Sequence, residues 1–109
     1  RQAYAAERAG ADASLARNDV PSAWQHLERA HVIAQPFAVT HVGAHAAMLR
    51  LGWRTRDSGE IAGQLVRIAV AGPASLRGRI PVGNTGRARV PLRQRMPVPA
   101  DLLDVVDPV

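Results

Sequence analysis

All four histidines of this chain fall in one short segment, at His26, His31, His41 and His45. Imidazole is a common metal ligand and titrates near neutral pH. The chain contains no cysteine, which excludes disulfides, thiolate zinc sites and iron–sulfur clusters. A metal ion would therefore have to be held by histidine, methionine, carboxylate or backbone groups. The crowding of imidazoles makes a metal site the first hypothesis.

Helical spacing places His41 and His45 on one face, because residues four apart lie about 40° apart around a helix. Their H-x-x-x-H spacing allows two imidazoles to hold one ion. The preceding segment carries His31 on the same stripe as Trp24 and Leu27. A hairpin between the two segments would bring the three imidazoles together in the interior, where unpartnered polar rings are costly.

Three further residues are candidate ligands. Glu28 stands three residues before His31, the E-x-x-H arrangement of metal sites in helical bundles. Met48 follows His45 and offers a soft thioether. His26 lies about 140° around the helix from His31 and joins the site only if the helix bends. The predicted metal ligands are thus His31, His41, His45, His26, Glu28 and Met48.

The ligand types favour zinc or copper, followed by nickel, iron or haem. Such a protein would serve metal handling or sensing in preference to catalysis, since no serine stands in a G-x-S-x-G setting. The enzymatic alternative is that Glu28 acts as a general base beside a metal-bound water. The alternative is that each histidine is structural and hydrogen-bonded to a carbonyl or carboxylate. The chain would then be a tetratricopeptide-like module that holds a protein partner, as "NDVPSAW" and "LERA" suggest.

Four helices are predicted to position these residues, over 2–17, 21–35, 37–54 and 59–71. Asp19 and Pro21 suit the start of the second helix, and Pro36 ends it. Asp57 or Ser58 caps the fourth helix, and Gly72-Pro73 ends or kinks it. The apolar positions predicted for this fourth helix are Ile61, Leu65, Val66 and Ile68.

From Ile80 onward the pattern changes, because this end of the chain holds five of the eight prolines. We predict an all-α fold: a small antiparallel four-helix bundle over 1–78 with an extended Pro/Arg-rich C-terminal arm over 79–109. The arm packs on the bundle or on a partner chain, or is disordered. "ADLLDVV" can form a short helical turn. The apolar contacts expected from the arm are Ile80, Val82, Val90, Leu92, Met96 and Val98.

The chain has 109 residues, one domain's length, and a net charge of +5 that comes entirely from arginine. Much of its apolar content is alanine, so the core is thin and a second copy could complete it as a homodimer. The arginines of the arm have no interleaved aromatics, so nucleic acid is not the expected partner. No apolar run reaches the roughly 18 residues of a membrane helix. A cytoplasmic location is the default expectation.

The segment "PVGNTGRARV" is a weaker candidate site, for an anion. Its glycines allow positive φ angles, and successive amides can surround a phosphate. The residues of this predicted anion site are Gly83, Asn84, Thr85, Gly86 and Arg87. An ordinary turn is the alternative.

Three segments together resemble a bacterial domain-of-unknown-function family of short helical proteins. They are W-x-H-L-E-R-A-H-V-x-x-Q (Trp24 to Gln35), H-V-x-x-H-x-x-M-L-R-x-G-W (His41 to Trp53) and P-V-G-N-T-G (Pro81 to Gly86). The resemblance extends from about residue 3 to 103 and includes the "MP-x-P-x-D-L" ending at Met96 to Leu102. It implies that all four histidines belong to the family pattern. It implies no activity. Leu92 stands where the family pattern has an aromatic residue.

Overall fold

The computed structural model describes residues 2–76, 83–88, 90 and 94–106. Four helices form the body of the fold: α1 (Gln2–Ala16), α2 (Val20–Ala34), α3 (Ala38–Arg54) and α4 (Ser58–Leu76). A 3-10 turn over Ala100–Leu102 leads into a short helix, α5 (Leu103–Val106). The described residues contain no strand. The predicted all-α, four-helix fold is confirmed.

The short connections between the helices are specified locally. Asp19 caps α2, since its carboxylate accepts a hydrogen bond from Ser22 N at 3.2 Å, and Pro21 lies in the first turn. Asp57 caps α4 in the same way, by accepting from Glu60 N at 3.1 Å. Short connections force neighbouring helices to run antiparallel. Accordingly α1 packs on α2, α2 on α3 and α3 on α4.

The apolar core lies between α1, α2 and α3. Trp24 and Leu27 of α2 meet Met48 and Leu51 of α3 there, and Met48 is fully buried. The remaining buried members are alanines, which allow the helices to approach closely. Phe37, the first residue of the third helix as predicted, instead precedes α3 and is 63% exposed.

Helix α4 differs from its prediction in length and in register. It continues through Gly72-Pro73 to Leu76, since a proline inside a helix removes one hydrogen bond without always ending it. Among the residues of α4 whose side chains the structure describes, 58–70, the buried ones are Glu60, Gln64 and Arg67, whereas Leu65 and Val66 are more than half exposed. The face of α4 that meets the bundle is therefore polar, and this polar face lies at the histidines.

The described part of the C-terminal segment lies against the helices. Leu102 is buried, and Asp101 pairs with Arg29 of α2, which also binds Glu7 of α1. Val90, Met96 and Val98 are half-buried. Ile80, Val82 and Leu92 lie outside the described residues, as does the predicted domain boundary at residue 78. None of the described helices has the length and hydropathy needed to cross a membrane.

Candidate metal centre

Helices α2 and α3 bring three histidines to one buried point. The Nε2 atom of His31 lies 3.0 Å from Nε2 of His45 and 3.1 Å from Nε2 of His41. The three rings are only 2–5% exposed. One ligand atom from each ring lies within 4.8 Å of the others. The hairpin predicted from Pro36 and the two histidine-bearing stripes accounts for this convergence.

The hydrogen bond made by Nδ1 of His31 determines which of its two ring nitrogens carries the hydrogen. Nδ1 lies 2.7 Å from the backbone carbonyl oxygen of Asn84. A carbonyl oxygen only accepts hydrogen bonds, so Nδ1 must carry the hydrogen. A neutral imidazole has a single N–H, and Nε2 of His31 therefore presents a lone pair.

The same reasoning applies to His45, whose Nδ1 lies 2.7 Å from Oε1 of Gln64. The orientation of the Gln64 amide is set by its nitrogen, which donates to Glu60 Oε2 at 3.0 Å and to Gly86 O at 2.8 Å. Its oxygen must therefore face His45 and accept from Nδ1. Nε2 of His45 also presents a lone pair.

Two nitrogen lone pairs thus face each other at 3.0 Å in the buried interior. A proton shared between the two rings would relieve their repulsion, but burial opposes it. Burial lowers the pKa of His41 and of His45 to about 4. The pKa of His31 is also lowered, first by burial and then by the two neighbouring rings. At neutral pH the rings are uncharged, which is the form that binds a metal ion.

The spacing of the nitrogens suits a tetrahedral metal ion. Zinc–imidazole bonds of about 2.0–2.1 Å place neighbouring ligand nitrogens about 3.3–3.4 Å apart. The distances between His31 and its two partners are 3.0 and 3.1 Å. The third pair, His41 and His45, has its ligand nitrogens within 4.8 Å of each other, so these two rings would close around an ion bound by all three. Metal-bound histidines usually donate their other N–H to a carbonyl or carboxylate oxygen, as His31 and His45 do here.

Three of the predicted ligands lie elsewhere. His26 contacts Glu7 on α1, with its Nδ1 3.2 Å from the carboxylate. Glu28 is paired with Arg87 at 3.2 Å. Met48 lies in the apolar core beside Trp24 and Leu27. The group of mutually close ligands found among the described residues consists of His31, His41 and His45.

The predicted anion site lies directly against the histidines. We call residues 83–88 the glycine loop. Gly83 and Gly86 have φ angles of 83° and 84°, as a glycine turn requires. The loop contacts two carboxylates of the same chain: Glu60 accepts from Arg87 Nε and from Ala88 N, and Glu28 accepts from Arg87 Nη1. The guanidinium of Arg87 and the amide of Ala88 thus serve internal anions.

Sequence reasoning missed the residues that orient the imidazoles: Gln64, Glu60 and the carbonyl of Asn84. A signal for the first two is present, since Glu60, Gln64 and Arg67 recur at helical spacing on an otherwise apolar helix. The contact of Asn84 runs through its backbone carbonyl, so its side chain carries no such signal.

We expect Gln64→Leu to weaken Zn²⁺ binding by about 10–100-fold, the usual effect of losing an outer-shell partner. The substitution leaves His45 Nδ1 without its acceptor and releases the ring from one tautomer. Competition titration against a chromophoric chelator measures the change. Gln25→Leu, the same substitution at an exposed position of α2, is the matched control. Equal affinities of the two variants would contradict the role given to Gln64.

Comparison with known proteins supplies a family but no activity. The family model DUF3703, described as a protein of unknown function, matches residues 1–106. No curated protein and no solved structure matches the chain. Since the match spans nearly the whole sequence, the chain belongs to the DUF3703 family.

Proposed function

We propose that this protein binds one transition-metal ion through Nε2 of His31, His41 and His45. The observation that carries the proposal is the 3.0 Å approach of two imidazole nitrogens whose hydrogens are committed elsewhere. A cation between them converts a repulsive contact into two bonds. Three neutral imidazoles without thiolate suit zinc or copper best, and nickel or iron less well.

The burial of the rings favours metal handling or sensing over catalysis. A catalytic zinc site keeps a coordination position open to water and substrate. Here each ring is at most 5% exposed, and the glycine loop packs against His31. An ion held in this way is sequestered, as storage, transfer or sensing requires.

Metal content tests the proposal. Untagged protein should carry close to one ion per chain by elemental analysis, or take up one Zn²⁺ or Cu⁺ on titration, with a rise in melting temperature. The double variant His41→Ala/His45→Ala should take up none. Well under one ion per chain, together with no thermal shift on adding either metal, would end the proposal.

A second candidate function, a helical interaction module, is favoured by the outer face of α4. Ala62, Leu65, Val66, Ala69 and Val70 recur at helical spacing and are all exposed within the described part of the chain. An uncharged stripe of this kind is self-complementary about a twofold axis, so the partner it fits is a second copy of the chain. Light scattering of the purified protein distinguishes a dimer from a monomer, independently of metal content.

A further inference from the structure

An ion can reach three rings that are at most 5% exposed only if some element moves. Two elements lie directly on a ligand: α4, which packs on α3 and meets His45 through Gln64, and the glycine loop, which lies on His31. A Cβ atom built on Gly86 would stand 2.7 Å from Cδ2 and 2.8 Å from Cγ of His31. The loop backbone therefore lies against the ring, and its departure would uncover His31.

Polar contacts attach the loop to the helices, and Arg87 contacts more helix residues than any other described residue of the loop. Further contacts run through Asn84, Gly86 and Ala88, the last of which accepts from Arg67 of α4 at 3.3 Å. Arg87 binds Glu60 on α4 and Glu28 on α2, and its guanidinium lies 3.7 Å from the ring centroid of Trp24. The neighbouring Ala88 N donates to Glu60 at 3.3 Å. Arg87 therefore contributes two ion pairs and one aromatic contact to the attachment of the loop beside the histidines.

The other walls of the site are less suited to opening. His31 lies within α2, while His41 and His45 lie within α3, and both helices pack along their lengths on neighbours. Moving either helix would open the apolar core around Met48. Moving the loop breaks polar contacts that water can replace. Displacing the loop therefore opens the site at a lower cost in free energy than moving a helix.

We propose that the glycine loop is the gate through which the metal ion enters and leaves, and that Arg87 holds it closed; this rests on the proposed function. The same loop supplies the Asn84 carbonyl to His31 and the Gly86 carbonyl to Gln64. Closure thereby covers the site and sets the ring orientation that the ion requires.

The test is the kinetics of Zn²⁺ exchange in the full chain. Protein loaded with Zn²⁺ is mixed with excess chromophoric chelator to measure release, and metal-free protein is mixed with Zn²⁺ to measure uptake. Arg87→Ala should accelerate both rates at least about tenfold, because a hydrogen bond between charged groups shifts an equilibrium by that factor or more. Affinity should change much less than either rate.

Arg29→Ala is the matched control. Arg29 also bridges two carboxylates, those of Glu7 and Asp101, but it makes no contact with the loop in the described structure. Its exchange rates should equal those of the unaltered protein. Gly86→Ala opens the gate by a different route, because the methyl group collides with the His31 ring and the positive φ is strained. If Arg87→Ala does not fold, the Zn²⁺ exchange rates of Gly86→Ala test the proposal in its place.

The outcomes separate the gate from the site. If the unaltered protein holds no Zn²⁺, the proposed function fails and the gate with it. If it holds Zn²⁺ and neither variant speeds exchange, only the gate is refuted. Faster release with unchanged uptake also refutes it, because the loop would then act on affinity alone.

Discussion

Replacing His31 with alanine is expected to weaken Zn²⁺ binding by more than about 100-fold, beyond the loss caused by outer-shell substitutions. His31 is the ring that both others approach, with Nε2–Nε2 distances of 3.0 and 3.1 Å. Without it, His41 and His45 remain as a pair on one helix. Two imidazoles at that spacing fill only two of the four coordination positions of a tetrahedral ion.

His26→Ala is the control for this prediction. It makes the same change on the same helix, but at a ring that contacts Glu7 and lies apart from the buried cluster. Competition titration with Zn²⁺ should show unchanged affinity for His26→Ala and a collapse for His31→Ala. Circular dichroism verifies that both variants keep their helices. Equal losses of Zn²⁺ affinity in the two variants would contradict the role of His31 as the central ligand.

The histidine cluster is the part of the site that could be predicted from the sequence alone. Helical periodicity placed His41 and His45 on one face and His31 on the opposing stripe, and Pro36 supplied the reversal between the helices. Those inferences need only the geometry of a helix and the position of a turn. The cluster follows from them because the connection between α2 and α3 is short.

The side chains of α4 that orient the imidazoles could not be predicted from the sequence, for a physical reason. Periodicity analysis assigns the apolar stripe of a helix to the interior, and on α4 that stripe includes Leu65 and Val66, which are exposed. The buried face instead carries Glu60 and Gln64, whose polar groups are satisfied by the glycine loop and His45. Those partners come from distant parts of the chain, so the cost of burying polar groups cannot be judged from α4 alone.

Acidification is expected to destabilise the metal-free protein well above the range in which carboxylates titrate. Burial lowers the pKa of His41 and His45 to about 4 and that of His31 well below 6.5. In the unfolded chain these rings regain a pKa near 6.5. Between the two values the unfolded state binds more protons than the folded state, so the free energy of unfolding falls as the pH falls.

Each ring contributes a slope of about 1.4 kcal/mol per pH unit within this window. From pH 7.5 to 5, His41 and His45 together remove about 4 kcal/mol, a large part of the stability of a small domain, and His31 adds to the loss in the same direction. Urea unfolding of chelator-treated protein at several pH values measures the loss. Asp19 and Asp101 have lowered pKa values and titrate below this window, so they do not obscure it.

A variant that lacks one ring separates this effect from general acid denaturation. His41→Leu should reduce the loss between pH 7.5 and 5 by about 2 kcal/mol, since one ring whose pKa burial lowers to about 4 is removed. His26→Ala should leave it unchanged, because that ring lies outside the buried cluster. A free energy of unfolding that stays flat between pH 7.5 and 5 would mean that the rings bind as many protons in the folded state as in the unfolded state. That result would contradict the neutral state of the rings, on which the two opposed lone pairs at 3.0 Å depend.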